Sequence, residues 1–143
     1  MRLGTVGTGL PTAAGQTITT LPGYPVNLSP NAFHLADLNA AVPGVDTLYI
    51  ADDNTTLGGL LKYRFDGTTW TARGSAGVAA DLYRGITASK QGGDVILYAV
   101  RKGGGAAVGG GEIVTLTDSS GSSGTLSGTP TLLAAAATNT AFR

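Results

Sequence analysis

The sequence predicts an all-β fold, and three observations support that prediction. Short runs rich in β-branched and aromatic residues alternate with turn residues along the chain. The same order of runs recurs about every 50 residues. Helical patterns are short, and the best candidate spans only 76–83, which is less than an ordinary helix needs.

The composition narrows the classes of protein that fit. Hydrophobic residues make up 42% of the 143 residues and charged residues only 13%, which is the reverse of a disordered chain. Basic and acidic residues are equal in number, so we expect no nucleic-acid partner, because such proteins carry a basic excess. The absence of cysteine excludes disulfides and thiolate metal sites, and no apolar run is long enough to span a membrane. The first four residues do not fit a signal peptide, so the signal of an exported parent protein is expected outside this chain.

The individual strands follow from local patterns and their stop signals. The run 47–51 carries aromatic and β-branched residues and ends at Asp52-Asp53-Asn54. The run 60–65 alternates apolar and basic residues, which is typical of a half-buried strand, and Asp66-Gly67 after it predicts a tight hairpin turn. The remaining predicted strands lie at 16–21, 68–72, 94–100 and 112–117, with a strand edge at 134–137.

The repeat favours one all-β architecture over the others. Residues 97–99 repeat 48–50 after 49 positions, and residues 82–84 repeat 32–34 after 50. Residues 141–143 repeat them again after a longer spacing, which Gly-rich and Ser-rich insertions at 103–111 and 119–128 explain. Four antiparallel strands in about 40 to 50 residues are typical of one β-propeller blade. We therefore predict about two and a half blades: outer strands of a partial blade at 1–31, whole blades at 32–80 and 81–140, and the opening strand of another at 141–143.

Two and a half blades do not close a ring, since a propeller needs about 4 to 8. Three interpretations follow. The chain is a piece of a longer protein that supplies the missing blades, or several copies assemble one ring, or the strands form a smaller β fold of another kind. The zero net charge favours self-association because it provides little colloidal repulsion.

Four runs carry a resemblance to a known family: Val6–Thr12, Val45–Asp53, Gly59–Tyr63 and Thr138–Arg143. They resemble the propeller repeats of large, mostly uncharacterised bacterial proteins that are predicted to be secreted. In that family an aromatic-Arg-Gly sequence such as 83–85 commonly precedes a run such as 6–12, so the two ends of this chain resemble the two sides of one blade. The resemblance covers most of the chain. It implies a propeller scaffold, an extracellular or periplasmic parent protein, and no established catalytic residues.

Five residues are candidates for binding. Arg84 and Arg143 follow the aromatic residue of equivalent blade openers, and His34 holds the same place in the first repeat. Because the first strand of a blade lines the central channel, these residues could bind a small anion there; the alternative is that the arginines pair with Asp81 or with a carboxylate of the neighbouring blade. Trp70 and Tyr63 could stack on a sugar if they are exposed, and otherwise pack between blades.

Several catalytic and metal-binding patterns are absent or incomplete. The glycine runs in 103–111 lack the Gly-Lys-Ser/Thr of a phosphate loop, and Glu112 follows them. The only histidine, His34, is not matched by a serine in a Gly-x-Ser-x-Gly elbow. Residues 52–54 have no calcium-loop spacing and are interpreted as a solvated turn. No cofactor, metal or catalytic residue is therefore predicted.

The sequence leaves three functional hypotheses. The first is a non-catalytic propeller scaffold or interaction module that self-associates or joins the missing blades of a parent protein. The second is an extracellular propeller that binds a glycan or a small anion. The third and weakest is a hydrolase that uses carboxylates from different blades.

Overall fold

The computed structural model describes residues 3–103 and 111–142. This part of the chain is all-β, as predicted, with three antiparallel sheets of two, four and four strands and a single 3₁₀ turn at Ala79–Asp81. None of its helical segments is long and apolar enough to cross a membrane. The strands are β1 (Gly4–Val6), β2 (Ile18–Thr20), β3 (Pro30–Ala36), β4 (Thr47–Asp52), β5 (Gly59–Phe65), β6 (Trp70–Ala76), β7 (Gly85–Gln91), β8 (Asp94–Arg101), β9 (Glu112–Asp118) and β10 (Thr131–Ala135).

The first four-stranded sheet is a meander in the order β3-β4-β5-β6. Local hydrogen bonds fix its turns. Asp46 accepts the backbone N–H groups of Leu38 and Asn39 between β3 and β4. The predicted hairpin turn at Asp66-Gly67 is confirmed: the Asp66 carboxylate accepts the N–H groups of Thr68 and Thr69, and Gly67 takes a positive φ of 99°.

The second four-stranded sheet repeats the same meander in the order β7-β8-β9-β10. A short turn through Gly92 and Gly93 joins β7 to β8, and β9 pairs with β8 without a register shift. The third sheet is the hairpin of β1 and β2. The predicted strand 16–21 therefore shortens to 18–20, and the strand edge predicted at 134–137 is replaced by a strand that starts earlier, at Thr131, and ends at Ala135.

The sheets stack in layers, with the first four-stranded sheet in the middle. Its β4 is buried along its whole length because both faces of the sheet are covered. One face packs on the second four-stranded sheet, and that core contains Tyr49, Ala51, Leu60, Ala76, Tyr83, Val95, Leu97, Ala99, Val114, Leu116 and Leu126. The other face packs on the N-terminal segment (residues 3–29), and that core contains Tyr24, Leu28, Leu48, Ile50, Leu61, Tyr63 and Trp70.

The two four-stranded sheets meet most closely along their first strands, where β3 packs against β7. Towards β6, the connection between β9 and β10 fills the space between the sheets. There Leu126 is buried, and its N–H donates to the carbonyl of Arg73 at 2.7 Å. The sheets are thus joined at both edges.

Candidate functional site

The predicted anion-binding residues take separate places in the structure. Arg84 immediately precedes β7, and its Nε donates to Asp53 Oδ2 at 3.1 Å, so it is paired with a carboxylate of the first sheet. His34 lies in β3, opposite Tyr49 of β4, and is half-buried. Arg143 lies outside the described residues, as does most of the glycine-rich run 103–111. Arg84 therefore follows the second of the two possibilities left open by the sequence: it pairs with a carboxylate of the neighbouring sheet and not with an anion.

The two aromatic candidates are not available for stacking on a sugar. Tyr63 and Trp70 keep only 6% and 7% of their surface exposed. Tyr63 packs against Tyr24 with ring centroids 5.4 Å apart, and Trp70 stacks on Phe65 at 5.1 Å. The exposure that glycan stacking requires is absent because the N-terminal segment covers this face of the sheet.

A buried polar cluster that sequence reasoning missed lies between the two four-stranded sheets. Lys62 of β5 places its Nζ 2.7 Å from Asp118 Oδ2 at the end of β9, and both side chains are almost wholly buried. Tyr49 Oη donates to the same carboxylate at 2.7 Å, and Ser120 donates to its other oxygen. Lys62 also donates to Ser120 and to the carbonyl of Gly121.

This cluster corrects the prediction of a half-buried strand at 60–65. The alternation of basic and apolar residues suggested that the lysine would face solvent, whereas Leu60, Leu61, Lys62 and Tyr63 are all buried. The second sheet covers the face that carries Lys62, and the N-terminal segment covers the other. The sequence signal that could have identified the pair is weak: it is a single lysine between apolar neighbours and an aspartate that ends a strand one repeat later.

The electrostatics of the cluster fit a structural role. Burial alone would raise the pKa of Asp118, but hydrogen bonds from Lys62, Ser120 and Tyr49 outweigh it and lower that pKa below its usual value. Burial and the hydrogen bond to Asp118 raise the pKa of Tyr49 well above its usual value. The carboxylate is therefore ionised and paired inside the sheet interface, where a substrate has no access to it.

A second polar cluster ties the 3₁₀ turn to the second sheet. Arg101 of β8 donates to Asp81 at 3.0 Å and to Glu112 at 2.9 Å. Tyr83 Oη donates to the same Asp81 carboxylate at 2.9 Å, and burial raises the pKa of Tyr83 to about 12. Arg101, not Arg84, is thus the partner of Asp81.

Residues 52–54 form an anchored turn. Asp52 is fully buried, and its carboxylate accepts the N–H groups of Ser29 and Asn54. The prediction of a solvated turn is wrong for Asp52, which fixes the N-terminal segment to the first sheet. Among residues 3–103 and 111–142, no group of three or more His, Cys, Asp or Glu residues could hold a metal ion.

An apolar groove of about 360 Å³ lies between the β1–β2 hairpin and the first sheet. Its walls include Trp70, Phe65 and the exposed side chains of Phe33, Leu35 and Val45. The groove carries no charged side chain. It is a surface for apolar contact.

The second sheet presents one further surface, which we call the outer face. Val95, Leu97, Ala99, Val114 and Leu116 point towards the first sheet, so the alternate residues of the same strands point away from it. The outer face consists of Thr87, Ser89, Ile96, Tyr98, Val100, Ile113, Thr115 and Thr117. No described sheet packs on it.

Comparison of this chain with protein-family models, with curated proteins and with solved structures found no match.

Proposed function

We propose that this chain is a non-catalytic scaffold or interaction module of the β-propeller type, which self-associates to complete a propeller. The observation that carries the proposal is the stacking of two four-stranded antiparallel meanders with their first strands side by side. In a propeller, four-stranded sheets radiate from a central channel, so the innermost strands of neighbouring blades lie close together. A ring needs more blades than the two four-stranded sheets described here, and further copies are the source that we propose.

The state of the polar groups supports a non-catalytic role. The carboxylates of Asp118, Asp81 and Glu112 are engaged by Lys62 and Arg101. A catalytic acid or nucleophile must instead reach a bound substrate. The extracellular or periplasmic location of the parent protein remains a proposal that depends on the family resemblance.

Binding of a glycan or an anion receives no comparable support. Tyr63 and Trp70 are buried, and Arg84 is paired with Asp53. Scaffolding is therefore the function that the arrangement of the described residues favours.

The proposal is tested by the mass of the protein in solution. Sedimentation velocity and native mass spectrometry over a range of protein concentrations should give a defined multiple of the 14.2 kDa chain. A folded species of one chain at every concentration would contradict self-association. Esterase, phosphatase and glycosidase panels run on the same sample test the non-catalytic part, and turnover that follows the protein through purification would overturn it.

A further inference from the structure

We infer that the outer face of the second sheet docks on the N-terminal segment of a second copy, so that copies associate head to tail. This inference depends on the proposed self-association and identifies its two surfaces. Three observations support it: the uncharged composition of the outer face, the β layer that covers the corresponding face of the first sheet, and the exposed apolar residues of the N-terminal segment.

The outer face has the composition of a contact surface. Ile96, Tyr98, Val100 and Ile113 form its apolar centre, and threonine and serine surround them. The only charged residue among the outward positions of β7, β8 and β9 is Asp94, at the start of β8. A surface designed to stay soluble and monomeric carries about 25–35% charged residues, so an uncharged sheet face suits a partner better than solvent.

The chain itself shows what covers this kind of face. Tyr49 lies in the second strand of the first sheet, and Tyr98 lies 49 residues later in the second strand of the second sheet. Ala51 stands opposite Leu60, and Val100 stands opposite Ile113 in the corresponding positions. In the first sheet, the face with Tyr49, Ala51 and Leu60 is covered by the next sheet of the chain. Because the outer face corresponds in the repeat to this covered face, we expect its partner to be another β layer of the same protein.

The N-terminal segment is the layer that a second copy can offer. It already covers the opposite face of the first sheet, so it lies one layer ahead of that sheet, where a preceding sheet would lie. Its exposed apolar side chains include Val6, Leu10 and Ile18, with 48%, 95% and 58% of their surfaces exposed. No charged residue occurs between Leu3 and Ala36, so neither surface repels the other electrostatically.

Such a contact uses two different surfaces, and this makes it heterologous. Repetition of one heterologous contact gives a closed ring when the rotation between copies closes, and a filament when it does not. Each copy has one outer face and one N-terminal segment, so blocking either surface leaves the other free. This asymmetry allows a decisive experiment.

Two arginine variants test the assignment. Tyr98→Arg blocks the outer face, and Ile18→Arg blocks the N-terminal segment, because each places an unpaired charge in an apolar contact. We expect each variant alone to sediment as one chain, and an equimolar mixture to form a dimer of one Tyr98→Arg and one Ile18→Arg chain. Thr55→Arg, in an exposed turn of the first sheet, is the matched control and should associate like the wild type.

The possible outcomes separate this inference from the proposed function. If the wild type is a folded monomer, self-association itself fails. If the wild type associates and both variants still associate, self-association stands and these surfaces are wrong. If Tyr98→Arg is monomeric but Ile18→Arg associates, the outer face pairs with something other than the N-terminal segment, and the head-to-tail contact is wrong.

A second pair of measurements keeps the test valid if Tyr98→Arg does not fold. Thr117→Arg places the charge at an exposed position on the same face and should also give single chains. Because the native chain has no cysteine, Ile18→Cys and Tyr98→Cys variants report the contact directly. Oxidation of their mixture should give mainly the mixed disulfide. Disulfides between identical variants in preference to the mixed one would overturn the head-to-tail arrangement.

Discussion

At the scale of single residues, the buried pair of Lys62 and Asp118 has the largest desolvation cost of the ion pairs described above, because both of its side chains are almost wholly buried. Both charges have left water, and their desolvation is offset only while each has its partner and the surrounding hydrogen bonds. The pair also joins two sheets through residues 56 positions apart, so it specifies how they dock. Its contribution to stability is therefore best measured by removing one partner and then both.

We expect Lys62→Met or Asp118→Asn to lower the free energy of unfolding by about 3–5 kcal/mol, because each strands a buried polar partner. The double variant Lys62→Met/Asp118→Leu should recover much of that loss, since an apolar pair leaves no buried charge. Urea unfolding monitored by Trp70 fluorescence measures all three. The control is Asp53→Asn, which removes the partly exposed pair with Arg84 and should cost less than about 1 kcal/mol. Equal losses at both sites would show that Lys62 and Asp118 are not buried as described.

The same carboxylate predicts how stability depends on pH. The pKa of Asp118 is lower in the folded chain than in the unfolded chain, so the unfolded chain binds more protons in acid. The stabilisation is complete above the unfolded value of about 4 and is lost as the pH falls through the lower folded value. We therefore expect the urea concentration at the unfolding midpoint to be lower at about pH 2 than at neutral pH. The Asp118→Asn variant should show a smaller difference. Asp37→Asn, at an exposed position, controls for the loss of one negative charge; a flattening of the same size there would refute the assignment.

Gly77 shows how one glycine permits the packing of the 3₁₀ turn. It has a positive φ of 75°, and a β-carbon on it would collide with the ring and hydroxyl of the buried Tyr83. We expect Gly77→Ala to cost the strain of the left-handed backbone plus about 1–3 kcal/mol of overpacking. Gly92→Ala is the matched control, because Gly92 has a φ of 62° but no atom near a new β-carbon. Thermal unfolding should separate the two variants, and equal losses would remove the packing argument.

At the scale of strands and turns, the sequence predicted what local interactions decide. The turn at Asp66-Gly67 depends on a carboxylate and on N–H groups two and three residues away, so the dipeptide sufficed to predict it. Strands β4, β8 and β9 fall within one or two residues of the predicted runs for the same reason. Their β-branched and aromatic composition is itself a local property.

What the sequence did not predict depends on contacts between distant segments. The burial of Lys62, Tyr63 and Trp70 results from the docking of the second sheet on one face and the N-terminal segment on the other. A strand that alternates apolar and basic residues gives no sign that both of its faces will be covered. The prediction that Tyr63 and Trp70 could bind a sugar was wrong for this reason, and the Lys62–Asp118 cluster was missed for the same reason.

At the scale of the whole molecule, the layered arrangement of the sheets fits the low content of charged residues in the chain, which is 13%. Both faces of β4 are covered, and the buried charges of Lys62 and Asp118 between the two four-stranded sheets are paired with each other. The outer face and the N-terminal segment also carry no charged residue, and each presents apolar side chains among threonine and other small polar residues.

This uncharged character predicts how the proposed self-association responds to salt. Association through ion pairs weakens as salt screens the charges, whereas association through apolar burial does not, and sulfate strengthens it. We therefore expect the sedimentation of the wild type to be unchanged by about 0.5 M NaCl, at which screening acts within a few ångströms, and to shift towards larger species in sodium sulfate. Thr55→Arg should respond as the wild type does, while Tyr98→Arg should remain a single chain in NaCl. Dissociation of the wild type by NaCl would show that charged groups hold the copies together, and it would exclude the outer face as the main contact.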